Sequence, residues 1–555
     1  MRKQYISELI DESTYSDWLY GKKVMLNAPT GAGKTTFILS VFLKYCKRCG
    51  KKMLILVNRR LLREQYDYDL ADIYLCYREM CNDIKLLTYQ ELSEKIKLGK
   101  DLSTELSEYD VIVCDEVHYF YNDSEFNALG TYVLLQAMIK AAFFKTIIFI
   151  TATLDEVRPL LERTILKCAD KIREESGEIK KCEFQITTLD FGFLADYERF
   201  RCCFIPDVQS LAETIANSDK KALIFIDDKA KAEAFKKLLI QTDKVKESDV
   251  TMLNAQSLEE NLERGMVRML SIGNKLLKKI LITTSVLDNG VSIHDPEVGS
   301  VVIATESKVS FLQMLGRIRS ESIDSCTLYI YPREIEYYSK RIRQYSARME
   351  FFEQYTEEIL RKNFWEILYQ GWFDNDEKAN ILRNMIILTN SEVEFYDEEF
   401  TPVRFVKEGY ILAVNHFAKE KIGNMLQAEK RFLKLALEDF RKVVCEQIQW
   451  IGKSEEELEI MCSTFNEERE KLLVAELLKI QNYSNEEYIK AKEYIAKEFH
   501  RELCDKIILK NTSISKEKFS NICDIYGLLF NAFIGKDKKM YYSVIRKNEM
   551  KENDF

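Results

Sequence analysis

The segment from Ala28 to Thr35 reads Ala-Pro-Thr-Gly-Ala-Gly-Lys-Thr, and its residue types and spacing suit a phosphate-binding loop. Gly31 and Gly33 have no Cβ and tolerate positive φ, so the backbone can curl its N–H groups around phosphate oxygens. Lys34 adds a positive charge, and Thr35 adds a hydroxyl that can bind Mg²⁺. The residues predicted to bind the nucleotide in this loop are Thr30, Gly31, Ala32, Gly33, Lys34, Thr35 and Thr36.

A pair of carboxylates stands about 80 residues further on, in Asp115-Glu116-Val117-His118. They follow an apolar run directly, so they emerge at the carboxyl end of a predicted parallel strand, where open α/β folds bind ligands. We expect Asp115 to share Mg²⁺ with Thr35, and Glu116 to orient or deprotonate the water that attacks the γ-phosphate of ATP. His118 is placed in the same nucleotide-binding set. The sequence therefore predicts an ATP-hydrolysing site with ATP and Mg²⁺ as cofactors.

Two series of short apolar runs alternate with helical stretches and predict the elements that carry these residues. The first series is Lys23–Asn27, Met53–Val57, Ile84–Leu87, Asp110–Cys114 and Thr146–Ile150. The second is Ala222–Ile226, Lys279–Thr283, Ser300–Ala304 and Thr327–Tyr331. We expect two α/β domains with parallel sheets, residues 1–205 (ending in a poorly defined linker) and 206–335, followed by a mostly helical region, 336–555. Within that region, helices are expected over Phe432–Ile451 and Glu455–Ile480, and a small hairpin over Val393–Val414.

Composition bounds the class of protein. With 46% hydrophobic and 31% charged residues the chain is ordinary globular material, and it has no apolar run of about 18 residues. Its amino end lacks the apolar core of a signal peptide, so we expect a cytoplasmic protein without a membrane partner. The net charge of −9 argues against bulk electrostatic coating of nucleic acid but leaves room for a local basic groove. The 14 cysteines are scattered and predicted to be buried thiols, and Cys46 and Cys49 lack a second pair at zinc spacing.

These motifs, in this order, resemble those of the DExH-type helicases of superfamily 2 (the DEAD/DEAH box family), of the kind found in low-GC bacteria and their phages. The resemblance extends over roughly residues 20–335 and implies that the two α/β domains are RecA-like. It also implies that Arg59, Arg60 and Thr88, at strand ends, contact a nucleic-acid backbone. The stretch from Thr283 to Val291 resembles the fifth family motif, which implies that Thr284 contacts nucleic acid and Gly290 contacts the nucleotide.

The stretch Gln313-Met-Leu-Gly316-Arg317-Ile-Arg319 resembles the sixth motif, Gln-x-x-Gly-Arg-x-Gly-Arg. The resemblance implies that Gln313 and Arg317 reach across a cleft to the γ-phosphate, where an arginine stabilises the transferring phosphoryl group. The sequence departs from the pattern, because Arg319 occupies the glycine position and Ser320 the final arginine position. Either Arg319 substitutes through a small shift of the helix start, or Arg317 acts alone; we expect Arg317 to be essential. The predicted catalytic residues are Glu116, Gln313, Arg317 and Arg319.

The resemblance implies an ATP-dependent nucleic-acid helicase or translocase, with single-stranded DNA expected as the partner on family analogy. The alternative is an ATP-switched clamp on nucleic acid or protein that does not unwind processively. A fused nuclease is not expected, since the carboxyl-terminal region shows no convincing constellation of paired carboxylates and a lysine. The sequence leaves open DNA versus RNA, polarity, the adenine contacts and any protein partner.

Overall fold

The computed structural model of the chain describes residues 4–73, 83–176, 185–253, 275–284, 293–319, 325–331, 333–373, 379, 382, 386–389, 406–407, 410–460, 464–499, 515–526, 528–535 and 537–546. Gly290, predicted to contact the nucleotide, lies outside these residues, as does most of the predicted hairpin before residue 406.

The first sheet has six parallel strands in the order β3-β2-β4-β5-β1-β6. They are β1 (Lys23–Asn27), β2 (Met53–Val57), β3 (Ile84–Thr88), β4 (Val111–Asp115), β5 (Thr146–Thr151) and β6 (Ile186–Asp190). Every strand predicted in the first series is confirmed, because unbroken apolar runs are what a sheet buried on both faces requires. The order puts β5 between β1 and β4, so the phosphate loop and the carboxylates leave the same edge one strand apart.

The second sheet has seven parallel strands in the order β16-β7-β12-β11-β8-β10-β9. They are β7 (Phe200–Phe204), β8 (Lys221–Ile226), β9 (Val250–Leu253), β10 (Ile280–Thr283), β11 (Val298–Ala304), β12 (Cys326–Ile330) and β16 (Leu458–Ile460). The predicted boundary at residue 205 is too late, since β7 pairs with β12 in the second sheet. The chain passes from one sheet to the other between Asp190 and Phe200. Two parallel sheets in tandem confirm the predicted fold class.

The remaining strands are β13 (Ile386–Thr389), β14 (Val406–Lys407), β15 (Tyr410–Val414), β17 (Tyr483–Ser484), β18 (Leu528–Ile534) and β19 (Met540–Arg546). The α-helices and π turns of the described residues are Ile6–Leu9, Glu12–Trp18, Lys34–Thr36 continuing through Phe37–Phe42 and Leu43–Arg48, Arg60–Ile73, Tyr89–Lys97, Leu102–Leu106, Tyr119–Asn122, Leu129–Val133, Leu134–Ala141, Leu154–Ser176, Val208–Asn217, Lys229–Gln241, Lys308–Gly316, Ile335–Gln354, Glu357–Lys362, Phe364–Phe373, His416–Glu438, Phe440–Gln449, Thr464–Leu478, Asn485–Glu498 and Lys516–Ile525.

The carboxyl-terminal region is mostly helical, as predicted, but two of its predicted helices differ in the structure. The first is broken at Asp439, whose side chain accepts a hydrogen bond from the Arg441 amide and so caps a new helix. The second begins only at Thr464, because Leu458–Ile460 forms β16 on the edge of the second sheet instead. A short segment of this kind becomes helix or strand according to the element against which it packs in the folded protein.

This region also completes the cores of both sheets. Val444, Ile448 and Ile451 belong to the apolar cluster on one face of the second sheet, and Phe417 belongs to a cluster of the first. The region is therefore packed into the body of the molecule.

Eight of the nine described cysteines are buried thiols, whereas Cys49 is exposed at a helix end, contrary to the prediction for it. Within the described part of the chain, each helix is too short or too polar to cross a bilayer.

Candidate active site

The phosphate loop joins β1 to the helix that begins at Lys34. Gly31 and Gly33 have φ of 85° and 86°, the left-handed conformation that their lack of a Cβ permits. The Lys34 ammonium donates to the carbonyl of Ala28 at 3.0 Å, across the mouth of the loop. The loop is anchored from outside by Ile6, whose amide donates to the carbonyl of Ala32 at 3.0 Å. Its shape is that expected of a phosphate cradle.

Asp115 ends β4 and is held by a tyrosine that the sequence analysis did not single out. The hydroxyl of Tyr66 donates to Asp115 Oδ2 at 2.8 Å, and the same hydroxyl interacts with the side chain of Thr35. Oδ1 accepts from the Glu116 amide at 2.9 Å. The two predicted magnesium ligands, Asp115 and Thr35, therefore lie on either side of one fully buried phenol.

Glu116 lies at the start of the turn after β4, with an unusual positive φ of 50°. This conformation is rare for a residue with a long side chain, and the carboxylate is buried. Oε2 of Glu116 lies 3.3 Å from Nδ1 of His118. The same His118 nitrogen lies 3.0 Å from Oγ1 of Thr151, at the end of β5. His118 thus connects the ends of β4 and β5.

The electrostatics of the two carboxylates differ. Burial and the neighbouring Glu116 charge raise the pKa of Asp115 to about 6, against the opposing effect of Lys34 and the Tyr66 hydrogen bond. Burial also raises the pKa of Glu116, but Lys34, His118 and Arg317 outweigh it and hold that pKa below its ordinary value. Glu116 is therefore the more readily ionised of the pair, and an ionised carboxylate can accept a hydrogen bond from a water molecule.

The second sheet brings the helix Lys308–Gly316 against the phosphate loop. A Cβ built on Gly316 would lie 2.6 Å from Oγ1 and 2.7 Å from Cβ of Thr30, so the two domains meet here with the Gly316 backbone against the Thr30 side chain. One turn back, Gln313 Oε1 accepts from the guanidinium of Arg317 at 2.9 Å, and both side chains are buried. Arg317 is close enough to Glu116 for its charge to lower the carboxyl pKa.

Arg319 lies at the same interface, in a cleft beside the phosphate loop. It lines a small cleft together with Pro29 and Thr30 of the loop and Arg199 of the segment that joins the two sheets. Its amide donates to the carbonyl of Ile293 at 3.0 Å, which fixes the backbone after the helix. The structure thus puts both arginines of the motif at the interface, with Arg317 the one whose charge acts on Glu116.

The buried polar atoms of this site that make no hydrogen bond of good geometry among the described residues include Nε2 of Gln313 and Oε2 of Glu116, the latter 3.3 Å from His118 Nδ1. A buried amide donor without an acceptor costs free energy unless a ligand supplies one, and a phosphate oxygen would do so. The buried Glu116 oxygen can accept from a water. The oxygen donor set of Thr35 and Asp115 is of the kind Mg²⁺ prefers. The residues therefore fit a nucleoside triphosphate with its metal ion.

The residues predicted to bind nucleic acid lie at the carboxyl ends of strands, but their surroundings differ. Arg59 and Arg60 are exposed after β2, and Arg59 is ion-paired with Asp123 at 3.2 Å. Thr88 is buried, and its hydroxyl accepts from the Glu91 amide as a helix cap. Thr284 is largely buried after β10, where its amide donates to a β9 carbonyl at 3.2 Å. The two arginines are thus the accessible members of this predicted set.

Sequence reasoning missed Tyr66 and a buried acid, Glu125. Tyr66 lies in the apolar stripe of its helix with Leu70, a pattern that indicates only a core residue. Glu125 follows the carboxylate motif and pairs with Arg348 at 2.6 Å and Lys421 at 2.9 Å, two residues more than 200 positions away in the chain. No local pattern indicates either partnership.

Comparison with protein families gives a match over residues 2–156 to the model described as "Type III restriction enzyme, res subunit". This region contains the phosphate loop, the carboxylate pair and the strands β1 to β5. No curated protein sequence matches the chain.

Solved structures with similar folds include S. cerevisiae Dbp5 bound to RNA and ADP BeF3, 14% identical, covering 56% of this chain and 80% of that one with a TM-score of 0.40. Mycobacterium smegmatis helicase Lhr bound to ssDNA and AMP-PNP is 15% identical, covering 62% of this chain and 47% of that one with a TM-score of 0.42. The E. coli DExH-box NTPase HrpB is 17% identical, covering 60% of this chain and 42% of that one with a TM-score of 0.37. At these identities the likenesses carry no argument about substrate.

Proposed function

We propose that this chain, which has a superfamily 2 helicase domain at its amino end, is an ATP-dependent nucleic-acid helicase or translocase that acts on DNA. The nucleotide binds between the two sheets, and hydrolysis is coupled to movement of the two halves along one strand. The choice of DNA over RNA and the preference for a single strand rest on family analogy.

The observation that carries the proposal is the contact between Gly316 and Thr30. It places a helix of the second sheet directly on the phosphate loop of the first, with Arg317 beside Glu116. An arginine that reaches the reacting phosphate only when two domains meet makes hydrolysis depend on closure. Such dependence is what converts a hydrolase into a motor or a switch.

Each side chain has a proposed task within this site. Lys34 and the loop amides bind the phosphates, and Gln313 donates its unpaired amide hydrogen to a phosphate oxygen. Asp115 and Thr35 would hold Mg²⁺, which neutralises charge on the phosphates when bound. Glu116 accepts the proton of the attacking water, and Arg317 stabilises the charge that develops on the transferring group.

The test measures ATP hydrolysis with single-stranded DNA, duplex DNA and RNA, together with unwinding of a tailed duplex. We expect stimulation by single-stranded DNA, and loss of turnover in Lys34→Ala with an unchanged thermal melt. Lys44→Ala is the matched control, because Lys44 is an exposed lysine in Leu43–Arg48, the continuation of the helix that begins at Lys34. Turnover in Lys34→Ala above about a tenth of wild type would overturn the assignment of the loop.

A clamp without processive unwinding is the second candidate, favoured by the ties between the carboxyl-terminal helices and both domains. Helices Ile335–Gln354 and His416–Glu438 contact the first domain through Arg348 and Lys421, which both pair with Glu125. Helix Ile335–Gln354 also contacts the second domain through the Tyr338 hydroxyl, which donates to Glu306 at 3.5 Å, and Arg341 and Glu429 join the two helices to each other. Such ties restrict how far the cleft opens. A clamp predicts ATP-dependent retention on DNA without strand separation, whereas a helicase separates the strands of the tailed duplex.

A further inference from the structure

The last part of the chain, from Thr464 to Arg546, forms a module with its own core. In order it has the helix Thr464–Leu478, the short strand β17, the helices Asn485–Glu498 and Lys516–Ile525, and the hairpin of β18 and β19. The three strands are antiparallel in the order β17-β19-β18. This order of elements and this strand pairing are those of a winged helix, a helix-turn-helix variant in which the hairpin is the wing.

An aromatic cluster fixes the second and third helices of the module to the wing. Tyr488 stacks on Tyr542 with ring centroids 4.1 Å apart, and Phe519 contacts Tyr488 edge-on at 5.4 Å. Phe530 of β18 completes the group, 5.3 Å from Phe519. Phe519 lies on the third helix, whereas Phe530 and Tyr542 lie on the two strands of the wing. Because these rings pack against one another, the third helix and the wing are held in a fixed relative position.

The outward face of the third helix is polar. Phe519, Ile522 and Cys523 point into the core, whereas Glu517 and Asn521 are exposed on the opposite face. Lys516 is exposed at the start of the helix, with its ammonium 5.3 Å from the centroid of the Tyr542 ring. Amide and amino side chains of this kind can hydrogen bond to base edges and phosphates.

The wing turn presents lysines in a fixed conformation. Lys538 and Lys539 are exposed, and Lys538 has a φ of 64°. The turn is closed by the Gly535 amide, which donates to the Lys539 carbonyl at 2.8 Å, and by Asp537, whose side chain accepts from Tyr541 at 2.9 Å. Gly535 is required there, since a Cβ would lie 2.6 Å from the Tyr541 ring.

The segment that forms the third helix and the wing has a net charge opposite in sign to that of the whole chain. From Ser515 to Arg546 the sequence has six Lys or Arg and three Asp or Glu, whereas the chain as a whole has a net charge of −9. A positively charged segment in an acidic protein is complementary to a phosphate backbone and favours nucleic-acid binding at that place.

We propose that helix Lys516–Ile525 and the wing bind a DNA duplex, with the helix in the major groove and Lys538 and Lys539 on the phosphates. The major groove of B-DNA admits a helix, whereas that of A-form RNA is too deep and narrow. The module thereby holds the duplex while the two-sheet motor acts on a strand. Only the choice of a nucleic acid as partner rests on the proposed function.

The experiment measures binding of full-length protein to a blunt DNA duplex, a single strand of the same sequence and the matching RNA duplex, over a range of salt concentrations. We expect Lys538→Gln/Lys539→Gln to bind the DNA duplex more weakly, with a salt slope (log K against log salt) smaller by about 1.8, or 0.9 per lost phosphate contact. Single-strand binding and ATP hydrolysis without nucleic acid stay at wild-type values.

The matched control is Lys471→Gln/Lys490→Gln, which removes two exposed lysines from the first and second helices of the module. Wild-type duplex affinity and salt slope in the wing variant, or an equal loss in the control, would overturn the proposal. So would tighter binding to the RNA duplex than to the DNA duplex. The proposed function can fail independently of this proposal. If the wing lysines are needed for duplex binding but the protein does not hydrolyse ATP, the result supports duplex binding by the module and contradicts the proposed ATP-dependent motor.

Discussion

Replacing Gly316 with alanine tests whether hydrolysis needs direct contact between the two sheets. The new Cβ would lie 2.6 Å and 2.7 Å from two side-chain atoms of Thr30, whereas non-bonded carbon atoms prefer about 3.5–4.0 Å. The helix Lys308–Gly316 and the phosphate loop must therefore separate by about 1 Å. Alanine is the better helix former, so the helix itself is not weakened.

The expected effect follows from that displacement. A shift of about 1 Å in the position of catalytic groups can cost about 10²-fold in rate, so kcat should fall by about that factor. Separation of the two domains relieves the clash without disturbing either core, so thermal stability should change little. If the domains were unable to separate, overpacking would cost about 1–3 kcal/mol of stability instead.

The assay is steady-state ATP hydrolysis beside a thermal melt. Gly423→Ala is the control, because a Cβ on Gly423, within a helix of the carboxyl-terminal region, meets no atom closer than 4.0 Å. Adding Thr30→Gly to Gly316→Ala removes the clashing atoms and should restore part of the rate. Wild-type turnover in Gly316→Ala would refute the view that this contact is part of the active conformation.

Three further variants test single side chains. Glu116→Gln keeps the shape of the site but removes the proton acceptor, so ATP should bind and remain unhydrolysed; normal turnover would contradict its proposed role. Arg317→Ala should reduce turnover by about 10³ with little change in nucleotide affinity, and a full effect from Arg319→Ala alone would reverse the assignment of the two arginines. Tyr66→Phe removes the hydrogen bond to Asp115 and should weaken Mg²⁺-dependent binding of a fluorescent ATP analogue by about 10-fold or more, measured without turnover, whereas binding without Mg²⁺ stays unchanged.

Local chemistry determined much of this molecule in advance. Apolar runs rich in Ile, Val and Leu predicted β1 to β5, because a strand buried on both faces requires apolar side chains at nearly every position. The phosphate loop and the Asp115-Glu116 pair were also evident, since glycine at positive φ and carboxylates after a strand are requirements of a few adjacent residues. For the same reason the two-sheet fold class followed from the order of the runs.

Tertiary structure alone decided the partnerships. The sequence indicates neither that Tyr66 supports Asp115 nor that Glu125 pairs with Arg348, because each contact joins residues that only chain packing brings together. Leu458–Ile460 became a strand rather than part of a helix because the edge of β7 was available to it. A three-residue segment has too little intrinsic preference to choose, so its state is set by the free energy of pairing with a strand more than 250 residues earlier.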